Sequence, residues 1–236
     1  MEKALLLSPS KAETISPGKL AGYSTLIIGS EFCQNQIPSP GTLRNLRRGF
    51  RGRVGIATSI MTDSGLAEWE KLLRVSDRHE LISEVVVNDW GFIPLAAEAR
   101  LPISVGRLLV RELVKLEHSW TLAFIKKYGI VSAETDTPEL TVLSGERLGL
   151  KISFHPCSVF KAVTSYCPFE KHFSFDCGRT CEKKAIRLTS RELNFSLLLS
   201  EKAYFTPEPG RAAPRGVWRT CRTPLPGRNR AGSFYI

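Results

Sequence analysis

Short, almost unbroken apolar runs recur along most of the chain, at residues 5–7, 25–29, 54–58, 84–87, 103–105, 130–133 and 150–154. Each has the length of a strand. Their near-continuous apolar character, rather than polar–apolar alternation, fits parallel strands covered on both faces. Between them the periodicity becomes helical. Residues 64–82 place Leu66, Trp69, Leu72 and Leu73 on one helix face, with Asp63 or Ser64 as N-cap. Residues 120–128 read as a second helix that stops at Gly129. Alternating β and α segments imply a parallel sheet. Seven or eight short strands in a row favour an α/β fold of the TIM-barrel type, a parallel β/α barrel, complete or lacking its last unit, over an open doubly wound sheet.

In such a barrel the active site is built just beyond the carboxyl ends of the strands. The residues at those positions are Glu31 and Cys33, Asn88 and Asp89, Gly106 and Arg107, Glu134 and Asp136, and His155 and Cys157. Asn88, Asp89, Glu134 and His155 are candidate catalytic residues, able to move protons or orient a hydroxylated substrate. Arg107 is the candidate substrate-binding residue, since a guanidinium can grip a carboxylate with two parallel hydrogen bonds. Each also has a plainer reading: a strand-ending turn at 88–91, an internal ion pair for Arg107, and a satisfied loop histidine for His155.

The pattern changes near residue 206. Five prolines and four glycines between Pro207 and Gly232 break all periodicity, so a barrel domain over 1–205 is expected to be followed by a disordered, basic tail over 206–236. That tail holds six arginines against the single acid Glu208, and five more arginines crowd residues 44–53. These two stretches account for most of the net charge of +10. They read first as solvated loops and second as phosphate contacts for RNA. No apolar run reaches 18 residues, so no membrane span is expected. Only four apolar residues precede Ser8-Pro9, too few for a signal-peptide core, which points to a cytoplasmic protein.

Six cysteines in such a chain point to metal or redox chemistry rather than disulfides. Cys167, Cys177 and Cys181 follow a C-x9-C-x3-C spacing in a loop containing proline and glycine. Such a loop can wrap three soft thiolates around one centre. Cys33, just past the second strand, is the best-placed fourth ligand. Spacing alone leaves iron–sulfur and zinc both open, the latter as a non-catalytic scaffold. Cys157 and Cys221 read as ordinary buried thiols, with Cys157 as a substitute ligand.

The string Glu84-Val85-Val86-Val87-Asn88-Asp89-Trp90-Gly91, the turn Ser104-Val105-Gly106-Arg107-Leu108-Leu109, the step Phe154-His155-Pro156 and the cysteine loop occur in one order. In that order they resemble the collagenase-like peptidase family U thirty-two. Cys33 after Ile28-Gly29-Ser30-Glu31-Phe32 is similar to its UbiV branch. The resemblance covers roughly residues 1–205. It implies a modified TIM barrel with a 4Fe-4S cluster held by Cys33, Cys167, Cys177 and Cys181. It also implies a UbiU-like partner in a heterodimer. The activity implied is oxygen-independent hydroxylation of a quinone precursor in ubiquinone biosynthesis, with a prephenate-like oxygen donor. Relatives hydroxylate RNA bases, and a few members are collagenolytic peptidases. The chain itself carries no serine elbow, no H-E-x-x-H and no convincing Cys–His pair for proteolysis.

Overall fold

The computed structural model describes residues 1–173, 177–190, 195–207 and 211–224. Eight parallel strands close into a barrel: β1 (Glu2–Leu7), β2 (Thr25–Gly29), β3 (Arg53–Ala57), β4 (Glu84–Val87), β5 (Ile103–Val105), β6 (Ile130–Thr135), β7 (Lys151–Phe154) and, far along the chain, β12 (Val217–Arg222). The α/β barrel read from the sequence is thus what the chain forms, and it is complete. All seven apolar runs become barrel strands within one to three residues of their expected ends.

The helices are α1 (Pro9–Thr14), α2 (Pro17–Leu20), α3 (Pro40–Gly49), α4 (Asp63–Arg78), α5 (Phe92–Glu98), α6 (Arg107–Leu113), α7 (His118–Tyr128) and α8 (Pro138–Val142). In α4, Trp69, Leu72 and Leu73 are buried as their spacing requires. The cap is Thr62, whose hydroxyl accepts from the Gly65 amide, one residue earlier than expected. Gly129 ends α7 in the left-handed conformation at φ 63°, which glycine adopts without a Cβ clash. The main apolar core lies between the barrel and its helices, from Leu5 and Leu26 through Trp69, Phe92 and Val110 to Ile152.

One unit departs from the β/α pattern. Instead of a helix, the chain after β7 builds a four-stranded antiparallel sheet. Its strands β8 (Ser158–Val163), β9 (Ile186–Ser190), β10 (Phe195–Ser200) and β11 (Ala203–Pro207) are ordered β8-β11-β10-β9. Phe160 on β8 and Ala203 and Phe205 on β11 pack with Phe32 and Leu108, which lie just past β2 and β5. The small sheet therefore sits over the carboxyl-terminal mouth of the barrel. The chain then returns as β12, in parallel register with both β1 (Ala4 beside Cys221) and β7 (Thr220 beside Phe154).

This last strand corrects the boundary expected at 205/206. Residues 217–222 are the eighth barrel strand, not part of a tail, and Arg219 is fully buried rather than solvated. The remainder of the expected tail from 225 onward, with Arg228 and Arg230, lies outside the described residues. Among the described residues no helix is long and apolar enough to cross a membrane.

Candidate metal centre and barrel mouth

β2 ends at Gly29, where φ of 127° and the approach of the Ala57 carbonyl, 2.3 Å from where a Cβ would sit, require glycine. The chain then turns through Ser30-Glu31-Phe32-Cys33. The Ser30 hydroxyl accepts from the backbone amides of Phe32 (2.9 Å) and Cys33 (3.1 Å) and donates to Glu201, so both sides of the turn are tied. Cys33 is buried at the barrel rim. The segment carrying Cys167, Cys177 and Cys181 lies between β8 and β9 and folds against the same rim. Gln36, three residues past Cys33, donates from its side-chain amide to Cys181 Sγ at 3.9 Å, and Arg179 donates to the Ile37 carbonyl at 3.4 Å.

Cys181 lies close enough to Cys33, Cys177 and Cys167 to feel their charge. The Cys181 thiol is pushed up by burial first, then by Glu201 and by Cys33, Cys177 and Cys167. Burial and the neighbouring Glu201 push Cys33 up to about 12. Each sulfur also meets an N–H group. Cys33 accepts from the Asn35 backbone, Cys167 from the Glu170 amide at 3.4 Å, Cys177 from the Arg179 amide at 3.3 Å and Cys181 from Gln36. Backbone amides aimed at cysteine sulfurs tune thiolate ligands of metal centres.

A tetrahedral zinc with bonds of about 2.3 Å would hold its sulfurs about 4 Å apart. Among the described residues, the donor sets that close to within 4.8 Å are Glu170–His172–Cys177 and Glu134–His155–Cys221. No three of the four rim sulfurs do so. The rim sulfurs are soft ligands that suit zinc and iron–sulfur alike.

Beside Cys181 lies a narrow cleft lined by Lys11, Ser30, Glu31, Phe32, Glu182 and Glu201. Glu201 is half-buried, and its carboxyl is raised to about 7, chiefly by loss of solvent.

Below the rim, charged side chains fill the barrel interior. Glu31 receives Arg107 through Nε (2.8 Å) and Nη2 (2.6 Å) and caps the Arg107 backbone amide (2.9 Å). Arg107 also stacks on Phe32, with its guanidinium carbon 4.9 Å from the ring centroid. The internal ion pair weighed for this residue is thus present. Nη1, buried and without a hydrogen-bond partner among the described residues, faces the Asp136 carboxylate at 4.0 Å. Glu134 receives Arg219 at 2.8 Å and Ser104 at 3.1 Å on one oxygen and holds His155 Nε2 at 2.9 Å on the other. Arg219 continues to Glu84 at 2.6 Å and Ser153 at 3.1 Å, bridging three strands across the interior. Burial alone would raise Glu134, but Arg219 and His155 outweigh it and hold the carboxyl at about 2.

Asn88 and Asp89 do different work. The Asn88 amide donates to the Thr58 carbonyl (2.9 Å) and accepts from the Leu108 amide (2.9 Å). Asp89 accepts from the Met61 (3.0 Å) and Gly91 (2.8 Å) amides. Both tie loops together at the rim, away from the His155–Glu134 pair. Gly106 leaves the room that Asn88 fills, since a Cβ there would lie 2.1 Å from its amide nitrogen. Glu31, Glu84 and Arg219 escaped functional notice in the sequence. The signal available for Glu31 was its place beside Cys33, and for Glu84 its charge opening an apolar strand.

No family model matches the chain, and no curated protein matches it significantly. Among solved structures, the fold is similar to a glycoside hydrolase family 18 N-acetylglucosaminidase from Paenibacillus barengoltzii, with 11% identity, a TM-score of 0.42 and 87% of each chain covered.

Proposed function

We propose that the chain is an iron–sulfur protein of the U thirty-two type, UbiV-like, serving oxygen-independent hydroxylation of a quinone precursor together with a partner subunit. The observation that carries this reading is the rim constellation. Cys33, Cys167, Cys177 and Cys181 come from segments more than 130 residues apart in sequence, converge beside one cleft, and each meets an N–H donor.

The donor set suits a cluster: soft sulfur ligands, largely buried, with N–H groups to spread thiolate charge. Bound there, a 4Fe-4S cluster would supply one-electron chemistry at the rim. The chain's own residues supply the surroundings. Phe32, Phe160 and Phe205 pack across the mouth and keep water from the interior. His155, fixed by Glu134, is placed to exchange a proton at its ring. Nη1 of Arg107, which makes no hydrogen bond among the described residues and lies 4.0 Å from Asp136, is the group that would meet a carboxylate of a prephenate-like donor.

The test is oxygen-free purification with assay of iron and acid-labile sulfide in wild type and in Cys33→Ala, Cys177→Ala and Cys181→Ala. About four iron per chain is expected in the wild type for such a cluster, with loss in every variant while far-ultraviolet dichroism stays that of the barrel. Iron-free wild type, or variants that keep their iron, would overturn the reading.

A further inference from the structure

A second donor set lies deeper, inside the barrel and apart from the rim cysteines. Glu134 at the end of β6, His155 just past β7 and Cys221 on β12 each present one ligand atom, and these atoms lie within 4.8 Å of one another. All three residues are almost fully buried. They surround a tight gap in the barrel interior, too small for a water molecule, whose other walls are Leu6, Ile27, Glu31, Ala57 and Val86. A carboxylate oxygen and an imidazole nitrogen 2.9 Å apart, with a thiol beside them, have the spread of ligands around a single zinc with bonds of about 2.0–2.3 Å.

Two features favour a cation there. Arg219 and Ser104 hold Glu134 by one oxygen, which fixes the carboxylate and turns the other towards His155 and the gap. This is the kind of outer support that orients a metal ligand. The charge balance is also unfinished. The buried carboxylates Glu31, Glu84, Glu134 and Asp136 outnumber the buried guanidinia Arg107 and Arg219, with Arg111 reaching Asp136 from the rim. Buried charge normally finds compensation.

We propose that Glu134, His155 and Cys221 form a mononuclear site for a divalent transition metal of the zinc type. Glu31, whose carboxylate oxygen lies 4.0 Å from His155 Nε2, is the nearest further oxygen donor. The donor mixture of one thiolate, one imidazole and one carboxylate is borderline in softness and suits zinc or cobalt rather than calcium or magnesium. On binding, the proton of the Cys221 thiol and any proton on the ligating nitrogen are released to solvent, and no electron changes hands. The proposal does not rest on the rim cysteines holding iron.

The experiment is cobalt titration of a full-length Cys177→Ala/Cys181→Ala chain, which lacks the rim set. One cobalt per chain is expected, with a sulfur-to-cobalt charge-transfer band that disappears in an added Cys221→Ser. The band should survive Cys157→Ala, and the apparent affinity should fall at least tenfold in His155→Gln. Anaerobic wild type is measured in parallel, and one zinc per chain is expected beyond any iron, with a rise in thermal midpoint on adding zinc. No cobalt binding in the rim-cysteine variant together with no midpoint shift in the wild type would overturn the proposal. So would a band that persists without the Cys221 thiol. Zinc bound here with no iron at the rim would leave this site standing and remove the iron–sulfur reading alone.

Discussion

Arg219 carries more of the interior's electrostatics than any other side chain, reaching Glu84, Glu134 and Ser153 from one guanidinium. Replacing it with methionine keeps the volume but strands two buried carboxylates, so Arg219→Met is expected to lower unfolding free energy by about 3–5 kcal/mol in urea titration. The pH dependence follows from Glu134, whose carboxyl drops from an ordinary 4.5 to about 2 on folding. A depressed carboxylate adds stability that is complete above pH 4.5 and is lost as pH falls towards 2. The urea midpoint of the wild type should therefore decline across that window, and decline less steeply in Arg219→Met. Gly106→Ala tests a steric point, because its Cβ would meet the Asn88 amide at 2.1 Å. A loss of about 1–3 kcal/mol is expected from overpacking and broken loop ties. None of this was legible beforehand. Arg219 looks like one of six tail arginines until a fold puts two carboxylates beside it.

At the scale of elements, legibility followed hydrophobicity. The seven barrel strands visible in the sequence are those whose two faces are both apolar, such as Thr25–Gly29 and Glu84–Val87. The eighth, Val217–Arg222, turns Arg219 and Cys221 inward and stacks Trp218 against Arg53, with the guanidinium carbon 5.4 Å from the ring centroid. Its alternation of apolar and charged residues, set between prolines, hides it. The β8–β11 sheet was hidden for a related reason, since its strands are only partly covered, β8 burying Ser158, Val159 and Phe160 while Lys161 and Ala162 are exposed. A chain ending at Gly216 should leave β1 and β7 as open edges and remove the charge partner of Glu84 and Glu134. It is expected to show no cooperative thermal transition and to elute as aggregate in size-exclusion chromatography.

Across the whole molecule, the two ends of the barrel are unlike. Because all eight strands are parallel, the turn from α3 into β3 lies at the amino-terminal end, opposite the cysteines, Glu31 and His155. The arginine cluster at 44–53 is therefore at the far end from the candidate centre. Arg53 is committed to Glu2, and Arg47 to the Gly52 carbonyl at 3.2 Å, which leaves Arg44, Arg48 and Arg51 as exposed charges. A polyanion gripped there would lie a full barrel length from the rim, which argues against RNA as the substrate of that site. Replacing Arg44, Arg48 and Arg51 by glutamine should move elution from heparin to lower salt, as expected when phosphate-like contacts are removed. Iron content and thermal midpoint should be unchanged. A loss of iron in that variant would mean that the two ends are coupled, and RNA would return as the better reading of the basic face.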